Sequence, residues 1–296
     1  MNKRILSLLL ALLMILYVFP LGAFAAESSV QRFVEVNPLY ADTVSESDIP
    51  LPSSSGGKSA PLLKSVSTGG HDYKTSIAEL GAEMRKAMVG REAEFHLYYC
   101  SDKSLSASSL FSQIKQEALK HTGNSFEGDY IRWSYGGLGG EVQVSRSSGK
   151  YYYILAIGAL YYTTAAQEKA VSERIDELFC SFGLEKDASD YAVIKTVYDY
   201  ICANVSYDYD TVDDDSYDLK FTAYAALFNG TAICQGYAAL LYAMLLHEGV
   251  DARVISGGGH GWNIARAGDK YYNLDSTWDA GCDPDSYNWF MKCPGS

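Results

Sequence analysis

The sequence has few basic side chains for its length. Its 296 residues include 24 Lys and Arg against 36 Asp and Glu, which gives a formal net charge of −12. Because binding to phosphate groups depends on Lys and Arg, this excess of acid argues against nucleic acid or anionic lipid as a partner. The hydrophobic fraction of 48% is ample for a substantial core, so the chain is not of the disordered class.

Histidine is also scarce, with five residues in the chain. His71, His96 and His121 lack the spacing of metal ligands, and we interpret them as ordinary surface or core residues. The aspartates within residues 208–218 would suit a hard cation, but this run lacks the glycine and the closing glutamate of an EF-hand loop. We therefore predict no metal and no cofactor, and a solvated, self-repelling loop that could border a cleft and favour basic substrates.

Long apolar runs are missing beyond the N-terminus. Residues 5–18 form an apolar stretch that follows two basic residues and precedes a small-x-small triplet at 23–25, a pattern typical of a secretory signal peptide. The stretch is short for a membrane span, and no later segment is apolar enough to be one. We predict a signal peptide at 1–25 and a protein that is secreted or held in the cell envelope, with no membrane span after cleavage.

The rest of the chain divides by composition. Residues 26–71 are rich in serine, proline and glycine without a sustained hydrophobic period, which predicts a flexible linker. Helical and strand patterns alternate over 72–184, which predicts a smaller N-terminal α+β domain with one strand at 130–135. That region contains no set of residues whose pattern predicts a catalytic site. Residues 188–296 are predicted to form a C-terminal domain that begins with a helix capped by Ser189.

An apolar helix is predicted to begin near Cys234. Ala238, Leu241 and Leu245 mark one helical stripe, and Thr231 just upstream is the candidate N-cap. A thiol in the first turn faces unpaired backbone N–H groups and the positive end of the helix dipole, and both favour the thiolate. The thiolate is the form of cysteine that attacks a carbonyl carbon.

A β-hairpin is predicted to follow this helix. A type II′ turn at residues 268–269 would pair Ala267 with Lys270 and set His260 diagonal to Asp275. If the turn begins one residue earlier, His260 lies directly opposite Asp275. In both registers the two side chains share a face, because side chains alternate along a strand. The hairpin therefore predicts an imidazole that is oriented by a carboxylate.

The three residue types together predict a nucleophilic site. A histidine held by a carboxylate can take the proton of a thiol and later return it to a leaving amine. The carboxylate fixes the tautomer and stabilises the imidazolium. Cys234, His260 and Asp275 are therefore the candidate catalytic residues.

Three ordered motifs resemble the core of the bacterial transglutaminase-like superfamily. They are Cys234-Gln235-Gly236-Tyr237-Ala238, His260-Gly261-Trp262-Asn263 and Tyr272-Asn273-Leu274-Asp275-Ser276-Thr277-Trp278-Asp279. The resemblance covers about residues 188–292 and implies a papain-like fold with a Cys-His-Asp triad. By position, Cys234 would be the nucleophile, His260 the general base and acid, and Asp275 the orienting carboxylate. The sequence departs from the family at Gly261, where alanine is usual, and at Ser276, where proline is usual.

We therefore expect an α+β protein in which a C-terminal papain-like, transglutaminase-like core follows the smaller α+β domain. Around the triad, the backbone N–H of Cys234 and the side chain of Tyr224 are candidate donors to an oxyanion. Trp262 and Trp278 are candidates to wall the histidine. Asn263 and Asp279 are candidates to brace the hairpin.

The resemblance implies an enzyme without specifying its reaction, since the superfamily includes cross-linking enzymes, proteases, amidases and inactive members. We expect an exported thiol enzyme that attacks a protein or peptide amide through a Cys234 thioester. The cell envelope is a candidate source of that substrate. Hydrolysis is favoured because water is always present and the sequence reveals no dedicated amine tunnel. The alternatives are a transglutaminase that cross-links glutamine side chains and a non-catalytic surface module that retains the fold.

Six cysteines in an exported protein suggest a set of disulfides. If Cys234 is a working thiol, at least one other cysteine is free. Cys282 with Cys293 is the bridge we expect first, since it would tie the tail that follows the hairpin.

Overall fold

The computed structural model describes residues 29–40, 43–52 and 70–293. Contacts divide these residues into two compact units. The first comprises the described residues up to 88 together with 92–118 and 136–160, and the second comprises 89–91, 119–135 and the described residues from 161 onwards. The predicted signal peptide lies outside the described residues.

The first unit is built on a four-stranded sheet. Its strands are β1 (Ser29–Val36), β2 (Glu94–Ser101), β3 (Tyr135–Ser147) and β4 (Lys150–Tyr161), in the order β1-β3-β4-β2. Two helices, α1 (Ile77–Val89) and α2 (Ala107–Ala118), accompany the sheet. They approach each other closely: Arg85 on α1 donates to the carbonyls of Glu117 and Ala118, and a Cβ on Gly81 would lie 2.4 Å from the Glu117 side chain.

The prediction of a flexible linker is wrong for residues 29–40 and 43–52. β1 pairs antiparallel with β3 over its whole length, from Ser29 opposite Val144 to Val36 opposite Gly137. Three side chains that follow β1 are buried, namely those of Tyr40, Val44 and Ile49. These buried residues are spaced irregularly within a polar segment, so they leave no hydrophobic period. Residues 53–69 of the predicted linker lie outside the described residues.

The second unit contains four helices and two small sheets. The helices are α3 (Asp129–Arg132), α4 (Ala165–Phe182), α5 (Asp190–Asn204) and α6 (Cys234–His247). The strands β5 (Ser206–Tyr207) and β6 (Thr231–Ala232) pair in parallel, and β7 (Ala252–Gly257), β8 (His260–Ala267) and β9 (Lys270–Leu274) form an antiparallel sheet in that order. Helix α6 is buried around most of its circumference and packs against α5 and β8.

Residues 130–135 were predicted as a strand, but most of them form or follow the short helix α3. Asp129 is 2% exposed, binds Arg253 through two hydrogen bonds of 2.7 and 3.0 Å, and accepts from the backbone N–H of Val254. The Tyr130 hydroxyl donates to Glu168 at 2.8 Å. These tertiary contacts override the strand propensity of the aromatic residues. They also explain why 119–135 and 161–184 group with the C-terminal part, contrary to the predicted boundary at 184.

The chain is thus an α+β protein with mixed helices and antiparallel sheets. Within the described ranges, no helix has the length and apolar character to cross a membrane.

Candidate active site

The candidate nucleophile is held at the start of a buried helix. Cys234 is the first residue of α6 and is 6% exposed. The predicted N-cap was wrong: Ile233 is the N-cap, and Thr231 pairs with Ser206 in the β5–β6 sheet. The local backbone is crowded, because a Cβ on Gly236 would lie 2.7 Å from the Ala232 side chain and 2.8 Å from the carbonyl oxygen of Thr222. Only glycine therefore fits two residues after the thiol.

The hairpin that carries the histidine has the predicted register. Ala267 pairs with Lys270, and Gly268 at the turn has φ of 63°, a conformation that favours glycine. This pairing brings together the arms that bear His260, at the start of β8, and Asp275, directly after β9. Nε2 of His260 lies 2.6 Å from Oδ2 of Asp275.

The imidazole interacts with both of its predicted partners. The hydrogen bond with Asp275, followed by a hydrogen bond with the Cys234 thiol, raises the pKa of His260 to about 9, although partial burial acts in the opposite direction. Because Nε2 faces Asp275, Nδ1 is the nitrogen that remains for the thiol. The imidazole thus interacts with both the carboxylate and the thiol, which are the groups that proton transfer from sulfur requires. The Cys234 thiol also donates to Oε1 of Gln235 at 3.0 Å.

Two tryptophans flank the histidine, as the sequence suggested. The Trp262 ring is nearly parallel to the imidazole at 5.9 Å between centroids, and its Nε1 donates to Asn273 at 3.0 Å. The Trp278 ring lies 5.4 Å from the imidazole and is 55% exposed. Trp278 in turn meets the edge of Trp289 at 4.6 Å. Trp262 thus supports the imidazole from the protein side, and Trp278 faces solvent.

The two predicted bracing residues have different roles. Asn263 is 1% exposed and donates from Nδ2 to the carbonyl oxygen of Ala238 at 3.0 Å, so it ties β8 to α6. Asp279 does not brace the hairpin. Its carboxylate accepts from the Tyr198 hydroxyl at 2.8 Å and from the backbone N–H groups of Asn288 and Trp289, which ties the C-terminal segment to α5.

Tyr207, which the sequence analysis did not single out, interacts electrostatically with the thiol. Burial is the largest cause of the raised pKa of the Tyr207 hydroxyl, and the Cys234 thiol is the second. Tyr224, the predicted oxyanion donor, stacks on Phe228 at 4.7 Å between ring centroids, within a helical turn upstream of β6. Sequence reasoning missed Tyr207 because only the parallel pairing of β5 with β6 brings it beside the start of α6.

An aromatic cleft of about 630 Å³ opens beside the histidine. Four aromatic side chains contribute to its walls, and these are Tyr207, Tyr209, Trp278 and Trp289. His260 also lines the cleft, and Ser206 and Thr277 add hydroxyl groups. A substrate in this cleft would therefore meet both aromatic ring faces and hydrogen-bonding groups.

The acidic run after β5 is not the self-repelling loop that we predicted. Lys220 is 1% exposed, and its ammonium donates to the carbonyl oxygens of Thr211, Val212 and Asp214 at 2.7, 3.0 and 2.6 Å. Asp208 is also buried and accepts from the backbone and hydroxyl of Thr211. The single lysine at the end of the acidic run was the sequence feature that could have predicted this arrangement. In the part of the chain that the structure describes, no three His, Cys, Asp or Glu residues are arranged to hold a metal ion.

The departure from the family at position 261 has a packing reason. A Cβ on Gly261 would lie 2.8 Å from the ring of Trp133, which is 4% exposed. An indole ring is rigid, so it cannot move aside as a flexible side chain could. Ser276, the other departure, is buried, and its carbonyl oxygen lies 3.6 Å from the Cys202 thiol.

None of the six cysteines, all of which lie within the described residues, forms a disulfide, so the Cys282–Cys293 bridge that we expected is not present. Both of these residues are exposed.

Comparisons with known proteins match the C-terminal part of the chain to one superfamily. Residues 181–290 match the transglutaminase-like superfamily, at its core domain. No curated protein matches the chain. A solved structure described as "Crystal structure of a TGase" is similar to the chain at 17% identity, with a TM-score of 0.33. That similarity covers 65% of this chain and 56% of the other, so the chain spans little more than half of that protein. A TM-score this low does not establish a shared fold.

The contact between Gly261 and Trp133 predicts a specific cost of adding one methyl group. We expect Gly261→Ala to lower the free energy of unfolding by ~1–3 kcal/mol, because the buried ring blocks the new Cβ. Gly257→Ala is the matched control, since its Cβ would meet Trp262 at an ordinary 3.5 Å. Urea unfolding of both variants measures the difference. Equal stability of the two variants would contradict the contact, and replacing Trp133 by leucine should reduce the cost at position 261.

Proposed function

Because residues 181–290 form a transglutaminase-like domain, we propose that this protein is a thiol enzyme that attacks amide bonds through Cys234. The observation that carries the proposal is the interaction of the His260 imidazole with both the Asp275 carboxylate and the Cys234 thiol. The match to the superfamily supports a cysteine-dependent enzyme, and these three residues supply each group that such an enzyme needs.

In the proposed reaction, His260 takes the proton of the Cys234 thiol and the sulfur attacks the amide carbon. The tetrahedral intermediate carries its negative charge on the former carbonyl oxygen. Collapse breaks the carbon–nitrogen bond, and the imidazolium returns the proton to the departing amine. The product of this half is a thioester on Cys234. A second acceptor, activated by His260, then attacks the thioester and releases the free thiol.

We propose water as the second acceptor, which makes the enzyme a peptidase or amidase. Trp278, beside the imidazole, is 55% exposed, so this side of the histidine is accessible to water. A lysine amine as acceptor is the second candidate, because the aromatic cleft offers ring faces that attract an alkylammonium group. The Asp208 and Asp213 carboxylates near Tyr207 would add to that attraction.

We also propose that the enzyme is exported to the cell surface or secreted. The support is the pattern of residues 1–25, and the protein or peptide substrate would then be outside the cell or in its envelope.

The raised pKa of His260 predicts the reactivity of the thiol. Below about pH 9 the imidazole holds its proton, and a positive charge beside a thiol favours the reactive thiolate form. We expect iodoacetamide to label Cys234 down to about pH 6, as measured by peptide mass spectrometry. His260→Ala should lose this labelling at low pH. The exposed Cys180 serves as the internal reference in the same digest.

If Cys234 reacts no faster than Cys180 at pH 6, and His260→Ala changes nothing, a non-catalytic binding module becomes the better interpretation. Asp275→Asn provides a graded test: it removes the largest contribution to the raised pKa of His260, so labelling at low pH should fall, by less than in His260→Ala.

Tyr207 is the side chain that we propose as oxyanion donor, together with the backbone N–H of Cys234. Tyr207→Phe removes only the hydroxyl, and we expect it to reduce kcat by ~10²–10³ with little change in KM. Tyr224→Phe is the matched control, since it removes the hydroxyl of the tyrosine that stacks on Phe228. Alkylation of Cys234 should persist in both variants, because the ion pair does not depend on either hydroxyl. A large loss of kcat in Tyr224→Phe alone would reverse the assignment.

The choice of acceptor is tested by product analysis. Casein incubated with the enzyme and dansylcadaverine should yield new peptide termini or free carboxylates, with no more incorporated dansyl amine than in Cys234→Ala. Incorporation of the amine into glutamine side chains that depends on Cys234 would establish cross-linking instead.

A further inference from the structure

The outer face of the four-stranded sheet in the first unit carries a cavity of about 230 Å³. This cavity lies on the side of the sheet where alternate residues of β2, β3 and β4 are exposed or half-buried, while their neighbours in sequence form the core. It takes no part in the chemistry proposed for Cys234. Its features come from the first unit alone.

One wall of the cavity is a row of nearly parallel rings. His71 stacks on Tyr98 at 4.2 Å between centroids with an interplanar angle of 11°, and His96 lies 6.4 Å from the same tyrosine at 17°. Both histidines are exposed and Tyr98 is half-buried. The side chains of Ile154 and Ala156, which stand opposite Tyr98 and His96 on β4, line the cavity beside them. Because His71 covers one face of Tyr98, the cavity offers the exposed imidazole rings next to an apolar surface.

The other wall carries hydrogen-bonding groups without a free charge. Glu141 and Gln143 stand two residues apart on β3 and both line the cavity. The Glu141 carboxylate accepts from Nε of Arg32 on the neighbouring strand at 2.6 Å, so its charge is already paired. The Gln143 amide offers donors and an acceptor. A cationic ligand would be attracted only weakly, because the Glu141 carboxylate is already paired with Arg32. An anionic ligand would be repelled by the same carboxylate.

We propose that this cavity binds one pyranose ring of a neutral glycan. A pyranose has an apolar face of C–H bonds that packs on aromatic rings, and hydroxyl groups at its rim that hydrogen-bond with carboxylate, amide and imidazole groups. Pockets for drug-sized ligands measure ~300–1,000 Å³, so the present cavity suits a single sugar ring. The site would hold the protein on a polysaccharide while the thiol acts elsewhere.

The test is titration calorimetry of the full chain with two neutral hexasaccharides, chitohexaose and cellohexaose, at up to ~10 mM, which detects dissociation constants as weak as ~1 mM. We expect heat of binding with one or both sugars. His96→Ala should weaken binding about tenfold or more, because it removes an exposed ring from the wall. Glu94→Ala is the matched control, since Glu94 projects from the same face of β2 and does not line the cavity.

Two further variants make the result decisive. Gln143→Ala should also weaken binding and tests the opposite wall, so the proposal does not depend on how the sheet tolerates His96→Ala. Trp278→Leu should leave binding unchanged, which excludes the aromatic cleft as the sugar site. Absence of heat with both sugars in the unmodified chain overturns the proposal. Loss of binding in Trp278→Leu, with His96→Ala unaffected, also overturns it. The labelling of Cys234 is independent of every one of these outcomes.

Discussion

The hydrogen bond between His260 and Asp275 is the constraint on which the candidate site depends. Its two residues belong to separate arms of a hairpin, so the bond exists only in a register that turns both side chains to one face. Shifting one strand by a single residue against the other would turn one of the two side chains to the opposite face, whereas a two-residue turn that begins one residue earlier would not. The glycine turn at Gly268 fixes that register, because its positive φ suits a tight hairpin. A feature eight residues from the imidazole therefore determines where the imidazole points.

The thiol must also lie beside the imidazole, and the packing of the buried helix α6 positions it. Helix α6 is apolar on most sides, so tertiary packing rather than an amphipathic stripe sets its position. The buried amide of Asn263 connects β8 to the helix carbonyl at Ala238, one turn beyond Cys234. Loss of this amide would remove a second hydrogen bond from a carbonyl that also belongs to the helix ladder, at a cost of ~0.5–1.5 kcal/mol. The same hydrogen bond thus contributes to stability and to the distance between sulfur and nitrogen.

Sequence reasoning succeeded where the relevant interactions are local. The start of α6 at Cys234 follows from helical periodicity, and the shared face of His260 and Asp275 follows from the alternation of side chains along strands. It failed where distant segments meet. Tyr207 reaches the thiol only through a parallel pairing across 25 residues, and Trp133 meets Gly261 from a segment that precedes α4. Neither contact leaves a periodic pattern, so neither can be derived from a single sequence.

The acidic loop also shows that a sequence does not reveal which distant groups will pair, in this case charged ones. Counting aspartates predicts repulsion, yet the loop closes around Lys220, whose three N–H donors meet three backbone carbonyls. Full satisfaction of the donors offsets the cost of burying an ammonium group. The carbonyls point inward to the lysine, while Asp210, Asp213 and Asp215 are exposed. A loop of this kind keeps negative charge beside Tyr207 without drawing that charge into the core. The electrostatic environment of the cleft therefore depends on one buried cation as well as on the aspartates around it.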